Sequence, residues 1–285
     1  MNSWLNSKIE AAIGTTPTRL QPLSGGCIAD VYRVWLPDKT SIVAKVADGQ
    51  GVKLDIEGTM LRYLKEHSRL PIPNVLHSSE TLLLMEFIEG DSQLDDSAQR
   101  HAAELLADLH SVRGEFFGHE RDTLIGSLPQ PNPPTASWIE FFRDHRLLYM
   151  AHEAAQSGRL PQNVLSRIEK FSQNLGDWLL EPEYPSLIHG DMWTTNILAA
   201  KGRIMGFIDP AIYYAHPEIE LAFSTLFNTF GSEFFTRYHE LRPIPPGFLE
   251  TRRDIYNLYP LLVHVRLFGG GYVGSVERIL RQFKF

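Results

Sequence analysis

The stretch Leu187-Ile188-His189-Gly190-Asp191-Met192-Trp193-Thr194-Thr195-Asn196, closed by Ile208-Asp209-Pro210, decides how the rest of this chain reads. Ser186 to Ile188 has the composition of a short buried strand that delivers His189-Gly190-Asp191 at its end. Ile197 to Ala199 and Arg203 to Ile208 read as two strands joined by a turn at Lys201-Gly202. Such a hairpin keeps Asp191 and Asn196 on one loop and sets Asp209 at the mouth of its second strand. Two carboxylates and an amide are thereby predicted to meet at one point.

That arrangement suits phosphoryl transfer from a magnesium nucleotide, where the protein mostly positions groups and neutralises charge. One carboxylate faces the attacking hydroxyl, while the other, with an amide oxygen, offers hard donors to magnesium. Protein kinases carry His-Arg-Asp, four residues, Asn and, after a hairpin, a magnesium-binding Asp. Here Gly190 replaces the Arg, and Asp209-Pro210-Ala211 replaces Asp-Phe-Gly. Both departures lead away from protein kinases and toward small-molecule kinases of the same fold. Residues capping unrelated turns would not match the spacings and the strand pattern together.

The chain has 285 residues, more than one core of ordinary size, so two lobes are expected. We expect them to span residues 1–88 and 89–285. Hydrophobic residues make up 43% and charged residues 21%, which describes an ordinary globular protein. A formal charge of −7 argues against nucleic-acid or anionic-membrane partners. The first fourteen residues lack the apolar run of a secretory signal, and Leu82 to Ile88 is too short to span a bilayer. The single cysteine, Cys27, forms no internal disulfide and suits a reducing compartment, so cytoplasm is expected.

In chain order, Trp4 to Ile13 reads as a helix, and Leu20–Leu23, Asp30–Trp35 and Ser41–Val46 as three antiparallel strands. The loop Ser24 to Ala29, with Gly25-Gly26, could bring backbone amides to phosphates, although Gly-Gly alone is a weak signal. Its place before Ile42-Val43-Ala44-Lys45 gives it weight, because that strand ends in a lysine suited to nucleotide phosphates. Glu57 lies on a helix from about Leu54 to His67 and shares the inward face of Leu61 and Leu64. An inward carboxylate needs a partner, and Lys45 is the natural one. Backbone groups of Glu86, Phe87 and Ile88 stand where an adenine edge would be read between the lobes.

The second lobe reads as mainly helical: Ser97–Ser111 with Ser97 as N-cap, Trp138–Met150, Val164–Leu180, Pro217–Phe230, Ser232–Leu241, Phe248–Leu267 and Val276–Phe283. His110 lies on an apolar stripe and reads as a core histidine. The segment Phe117 to Asn132 is too long and too rich in Gly and Pro to be plain linker, which suggests function. The fold expected is α+β, a small antiparallel-sheet lobe with one main helix beside a larger helical lobe.

At this point the chain resembles the fructosamine kinase (ketosamine 3-kinase) family, with its protein-kinase-like fold shared with aminoglycoside phosphotransferases and choline kinases. The resemblance rests on Gly25-Gly26-Cys27-Ile28, on His189 through Trp193 to Asn196, and on Asp209-Pro210-Ala211 before Tyr214-Ala215-His216-Pro217-Glu218. Phe117-Gly118, Pro129-Gln130-Pro131-Asn132, Trp138 to Phe142 and Phe268-Gly269-Gly270-Gly271-Tyr272 extend it over nearly the whole chain. Met192, Thr194-Thr195 and Ala215 are mild departures from the family pattern.

The resemblance implies ATP-dependent phosphorylation of the 3-hydroxyl of a ketosamine, the adduct of a sugar with an amine, and hence deglycation. Ribulosamine or erythrulosamine is expected ahead of fructosamine. By position it makes Asp191 the catalytic base, Asn196 and Asp209 the Mg2+ ligands, and Lys45 with Glu57 the holders of the ATP phosphates. Trp193, Asp122, Gln130, Asn132 and His216 become candidates for substrate contact, and His189 a structural residue. Asp191 needs no raised pKa for this role, since proton transfer can come late. Cys27, beside the phosphate loop, is a candidate for redox control by an intermolecular disulfide, against the plainer reading of a small half-buried residue. The protein is expected to be a monomer or weak homodimer. Two alternatives stay open: a kinase of another small hydroxylated amine, of aminoglycoside or choline type, and a catalytically silent nucleotide-binding regulator.

Overall fold

Alternation along the strand Ser41–Val46 sets the architecture of the first lobe. Ile42, Ala44 and Val46 point to one side, where they pack with Leu5 and Ile9, and Val43 points to the other. Lys45 shares the side of Val43, facing the rest of the molecule. The computed structural model describes residues 2–23, 29–47 and 53–285. Gly25, Gly26 and Cys27, and with them the phosphate-loop and redox expectations, lie outside the described residues.

The first lobe runs α1 (Asn2–Ile13), β1 (Arg19–Pro22), β2 (Asp30–Trp35), β3 (Ser41–Val46), α2 (Leu54–His67), β4 (Val75–Ser79) and β5 (Leu82–Glu86). Its strands form one antiparallel sheet in the order β1-β2-β3-β5-β4. Helix α1 covers the outer face of this sheet, while α2 lies on the inner side with Leu61 and Leu64 buried. Asp55 and Glu57 in the first turn of α2, and Lys65 and His67 in the last, suit the helix dipole.

The second lobe continues with α3 (Asp96–Leu109), the hairpin β6 (Thr123–Ile125) and β7 (Leu128–Gln130), then α4 (Trp138–Phe142). A π-helical section, Arg143–Leu148, joins α4 to α5 (Tyr149–Gln156), and α6 (Gln162–Ser172) follows. Strand β8 (Ser186–Ile188) leads into the hairpin β9 (Ile197–Ala200) and β10 (Arg203–Phe207), and then β11 (Tyr213–Ala215) returns to pair with β8. Helices α7 (Glu218–Leu226), α8 (Ser232–Leu241), α9 (Arg253–Phe268) and α10 (Tyr272–Gln282) complete the chain. No helix among the described residues is long and apolar enough to cross a membrane.

The expected α+β architecture and the hairpin are present, with differences at element ends. Asp95, not Ser97, caps α3, because its carboxylate accepts from Ala98 N–H at 2.8 Å. The helix expected over 164–180 stops at Ser172, and a 3₁₀ turn, Leu175–Asp177, follows. The helix that begins at Trp138 reaches Gln156 through its π-helical section. The long segment 117–132 is ordered by β6 and β7 and by pairing of Phe117 with Thr135 and of Gly118 with Tyr214.

Candidate active site

Lys45 is buried, and its ammonium meets two carboxylates: Glu57 of α2 at 2.7 Å and Asp209 after β10. Burial opposes the charge, but Asp209 and Glu57 together outweigh it and hold the ammonium above its ordinary pKa. The Glu57 carboxyl is in turn raised by burial, with Lys45 countering. The pairing expected between strand and helix is therefore formed, and it extends to Asp209 beyond the β9–β10 hairpin.

Asp209 sits at φ +54, a left-handed conformation uncommon for a non-glycine residue. The strain belongs to the site: Ile208 N–H bonds Asn196 C=O at 3.0 Å and Ala211 N–H bonds His189 C=O at 2.8 Å, so the backbone on both sides is pinned. Asn196 is buried and donates from Nδ2 to Asp191 Oδ2 at 2.8 Å and to Asp191 C=O at 3.0 Å. The amide thus orients the carboxylate it was predicted to accompany. Burial pushes the Asp191 carboxyl up to about 7, opposed by the Asn196 hydrogen bond and assisted by the Asp209 charge. The reaction does not require this rise, since proton transfer can come late.

Gly190 explains the lost Arg of the protein-kinase pattern. It has φ +85, and a Cβ there would lie 2.7 Å from the Ala211 carbonyl carbon and collide with its oxygen. Pairing of β8 with β11 forces this approach, so no side chain fits. The Gly190 N–H donates to Glu220 Oε1 at 2.7 Å, and Glu220 Oε2 meets His110 Nε2 at 2.8 Å. His110 Nδ1 meets the Tyr238 hydroxyl at 2.7 Å. His110 is the core histidine expected, and through Glu220 it backs the loop that carries Asp191. His189 is wholly buried, its Nδ1 accepting from Asp191 N–H at 3.4 Å, which fits a structural role.

Between the lobes, Glu86 N–H donates to Asn74 C=O at 2.8 Å, so it is already engaged. The Phe87 and Ile88 backbone groups make no hydrogen bond among the described residues and stay available to a ligand edge. Ile88 presses onto the hairpin at Gly206, where a Cβ would collide with its side chain.

The substrate candidates divide. Trp193 is half-buried, its ring 5.5 Å from that of Phe227, two residues from Asp191. Gln130 and Asn132 already have protein partners. Both are buried, with Gln130 bonded to Thr123, Ala211 C=O and Tyr259, and Asn132 bonded to Arg121 C=O, Thr123 and Arg146. They satisfy the interior of their own loop, as buried polar groups must. His216 is likewise buried, packed against Trp138 and Tyr256, and caps the Glu218 N–H at 3.1 Å. Asp122 is exposed and bonds Asn132 N–H at 2.9 Å, closing the loop rather than lining the space at Asp191.

A narrow, largely apolar cavity opens at Asp191, and Ile125, Ile188, Tyr213, Phe223, Tyr259 and His264 help line it. None of these was singled out as a site residue. Glu220 was legible, because a lone acid within Ile219-Glu220-Leu221-Ala222-Phe223 needs a buried partner.

A model of the family described as fructosamine kinase matches residues 1–284. The chain belongs to the fructosamine kinase family. It is 35% identical over 282 residues to the chloroplastic protein-ribulosamine 3-kinase of Oryza sativa subsp. japonica, covering 94% of this chain and 80% of that one. It is 34% identical over 277 residues to the "probable ketoamine kinase" of Synechocystis sp., covering 93% of this chain and 91% of the relative. A solved protein of Thermobifida fusca, described as a "putative fructosamine-3-kinase", superposes with a TM-score of 0.86 at 29% identity over 99% of each chain. This fructosamine kinase family member is thus a phosphotransferase of protein-kinase-like fold, and its family implies ATP as donor.

The donor set beside Asp191 fits a hard divalent ion. Asn196 Oδ1 and the Asp209 carboxylate are oxygen donors, and Mg2+ needs only one or two such groups beside nucleotide phosphates. Among the described residues no three His, Cys, Asp or Glu side chains converge, so phosphates and water would supply the remaining ligands.

Proposed function

We propose that this kinase transfers the γ-phosphoryl group of ATP to the 3-hydroxyl of a ketosamine, with ribulosamines preferred. The observation that carries the reading is the meeting of Lys45, Glu57 and Asp209 with the Asp191–Asn196 pair around one hairpin. The similarity to a protein-ribulosamine 3-kinase supports the sugar.

Asp191 orients the acceptor hydroxyl and takes its proton as the phosphoryl group arrives, and a pKa near 7 suits a base at neutral pH. Lys45, kept charged by its two carboxylates, neutralises the donor phosphates. Asn196 and Asp209 would hold Mg2+, which supplies charge neutralisation on the phosphate oxygens. The Phe87 and Ile88 backbone groups would read the adenine edge, and Trp193 would face the sugar. The end of β5 at Glu86 supports a lobe boundary between residues 88 and 89. The net charge of −7 supports an acceptor that is not a nucleic acid, and the single Cys27 supports a reducing, cytoplasmic setting.

Magnesium-dependent ATP turnover on ribulose-lysine, fructose-lysine, choline and kanamycin, with Asp191→Ala beside the wild type, tests the reading. We expect turnover on the ketosamines, fastest on ribulose-lysine, and a fall of roughly 10²-fold or more in the variant. Activity confined to choline or kanamycin would overturn the acceptor, and silence on all four would overturn the reaction.

A further inference from the structure

A continuous run of rings leads from the catalytic loop to the surface. Trp193 meets Phe227 at 5.5 Å between centroids, Phe227 meets His264 at 5.1 Å, and His264 meets Tyr272 at 4.9 Å and Phe268 at 5.8 Å. Phe268 and Tyr272 stand 6.4 Å apart at the outer end. The inner end is tied to the chemistry: His264 and Phe223 line the cavity at Asp191, and Phe223 meets Phe227 at 6.1 Å. The outer end is open, with Phe268 56% exposed.

The three glycines between Phe268 and Tyr272 produce this end. Gly269 and Gly270 have φ of +66 and +63, so the chain reverses within three residues and sets the flanking rings side by side. A Cβ on Gly270 or Gly271 would meet nothing within 4 Å. Packing therefore does not demand bare backbone at Gly271. A lone exposed Phe would call for no explanation, but this one ends an aromatic path that begins two residues from Asp191.

We propose that Phe227, Phe268 and Tyr272 form the subsite for the amine-bearing arm of the acceptor, the part beyond the sugar. The inference rests on the ketosamine reading above and deepens it. A ketosamine nitrogen is a secondary amine, cationic near neutral pH, and carries a hydrocarbon stem when the amine is a lysine. Ring faces attract such a cation and cover such a stem. Because the path reaches the surface, the arm can continue into a peptide, so the acceptor class is a lysine-borne ketosamine rather than a free one alone.

The test compares two acceptors, ribulosyl-methylamine and a tripeptide carrying a ribulosyl-lysine, on wild type, Phe268→Ser and Phe227→Leu, with melting temperature checked for each. The exposed ring of Phe268 makes its replacement compatible with folding. We expect KM for the peptide to rise about 3- to 5-fold in Phe268→Ser, the loss of roughly one covered CH2 of the lysine stem, about 0.8 kcal/mol. Its kcat and both constants for ribulosyl-methylamine, which carries the same cationic nitrogen but no stem, should stay within about 2-fold. Phe227→Leu should move the peptide KM in the same direction. Equal changes on both acceptors, or none, would overturn the subsite while leaving the kinase reading intact. A wild type inactive on both acceptors would sink the two together.

Discussion

The hydroxyls of Tyr63 and Tyr214 meet at 3.0 Å and join helix α2 of the first lobe to strand β11 of the second. Around them His67 stacks on Tyr63 with centroids 4.0 Å apart, and His119 meets the Tyr63 ring edge-on at 4.7 Å. Helix α2 also carries Glu57, so this tether holds the helix where its carboxylate can reach Lys45. Tyr214→Phe removes one hydrogen bond, about 1 kcal/mol net. We expect KM for ATP to rise about 3-fold and the melting temperature to fall about 2 °C. Unchanged values of both would show that α2 is held by packing alone.

Glu220 supports the Asp191 loop through Gly190 N–H and is itself held by His110. Glu220→Ala leaves a buried N–H and a buried imidazole without their acceptor, at a cost of about 1–3 kcal/mol each. The variant should melt at least about 5 °C lower and lose most turnover. Glu220→Gln keeps an oxygen for Gly190 and should recover much of the activity. Equal loss in both variants would mean that the charge of Glu220, and not its geometry, is what the loop requires.

The site's inner frame is legible in the sequence because its signals are local. Period-two alternation turns Lys45 inward, an acid on an apolar helix face marks Glu57, and the hairpin spacing gathers Asp191, Asn196 and Asp209. The internal bonding of Gln130 and Asn132 is not legible, for a physical reason. Polar residues in a long loop look like ligands, yet a long ordered loop also needs interior hydrogen bonds to settle its own backbone. Arg146, the partner of Asn132, is wholly buried, its guanidinium 3.8 Å from the Tyr213 ring centre, within the π-helical section. An arginine in an ordinary helical pattern carries no sign of that placement. Phe227 meets His264 only because the end of α7 packs on α9, far along the chain.

Acid should destabilise this protein through its buried histidines. Burial pushes His216 down to about 3, with the Arg252, Arg242 and His110 charges assisting, so it is neutral when folded. Burial lowers His110 and His189 as well. Unfolding releases His216 to an ordinary value near 6.5, so the unfolded chain binds the extra proton. The stability it supports is complete above about pH 6.5 and is lost as pH falls toward about 3, by at most about 1.4 kcal/mol per pH unit. His216→Asn keeps an acceptor for Glu218 N–H and does not titrate. Denaturant unfolding at pH 7 and pH 5 should show a smaller pH difference in the variant by about 1–2 kcal/mol. An identical pH difference in the two proteins would refute the assignment.

Asn132 separates a structural role from a substrate role. Its amide joins Arg121 C=O, Thr123 and the Arg146 guanidinium, whose Nη1 also holds Pro131 C=O at 2.8 Å. Arg146 is thus the hub that binds the loop to the helix behind it. Asn132→Ala leaves one end of a buried cation short of an acceptor and Thr123 short of a donor, a loss of about 1.5–3 kcal/mol. The expected result is a melting temperature lower by roughly 5 °C, with acceptor KM within 2-fold when assayed well below the transition. A direct substrate contact predicts the reverse, with KM raised about tenfold and melting unchanged, since a hydrogen bond to bound acceptor contributes nothing to the empty protein. Arg146→Met should reproduce the Asn132→Ala pattern more severely, because it strips three acceptors at once while keeping most of the volume.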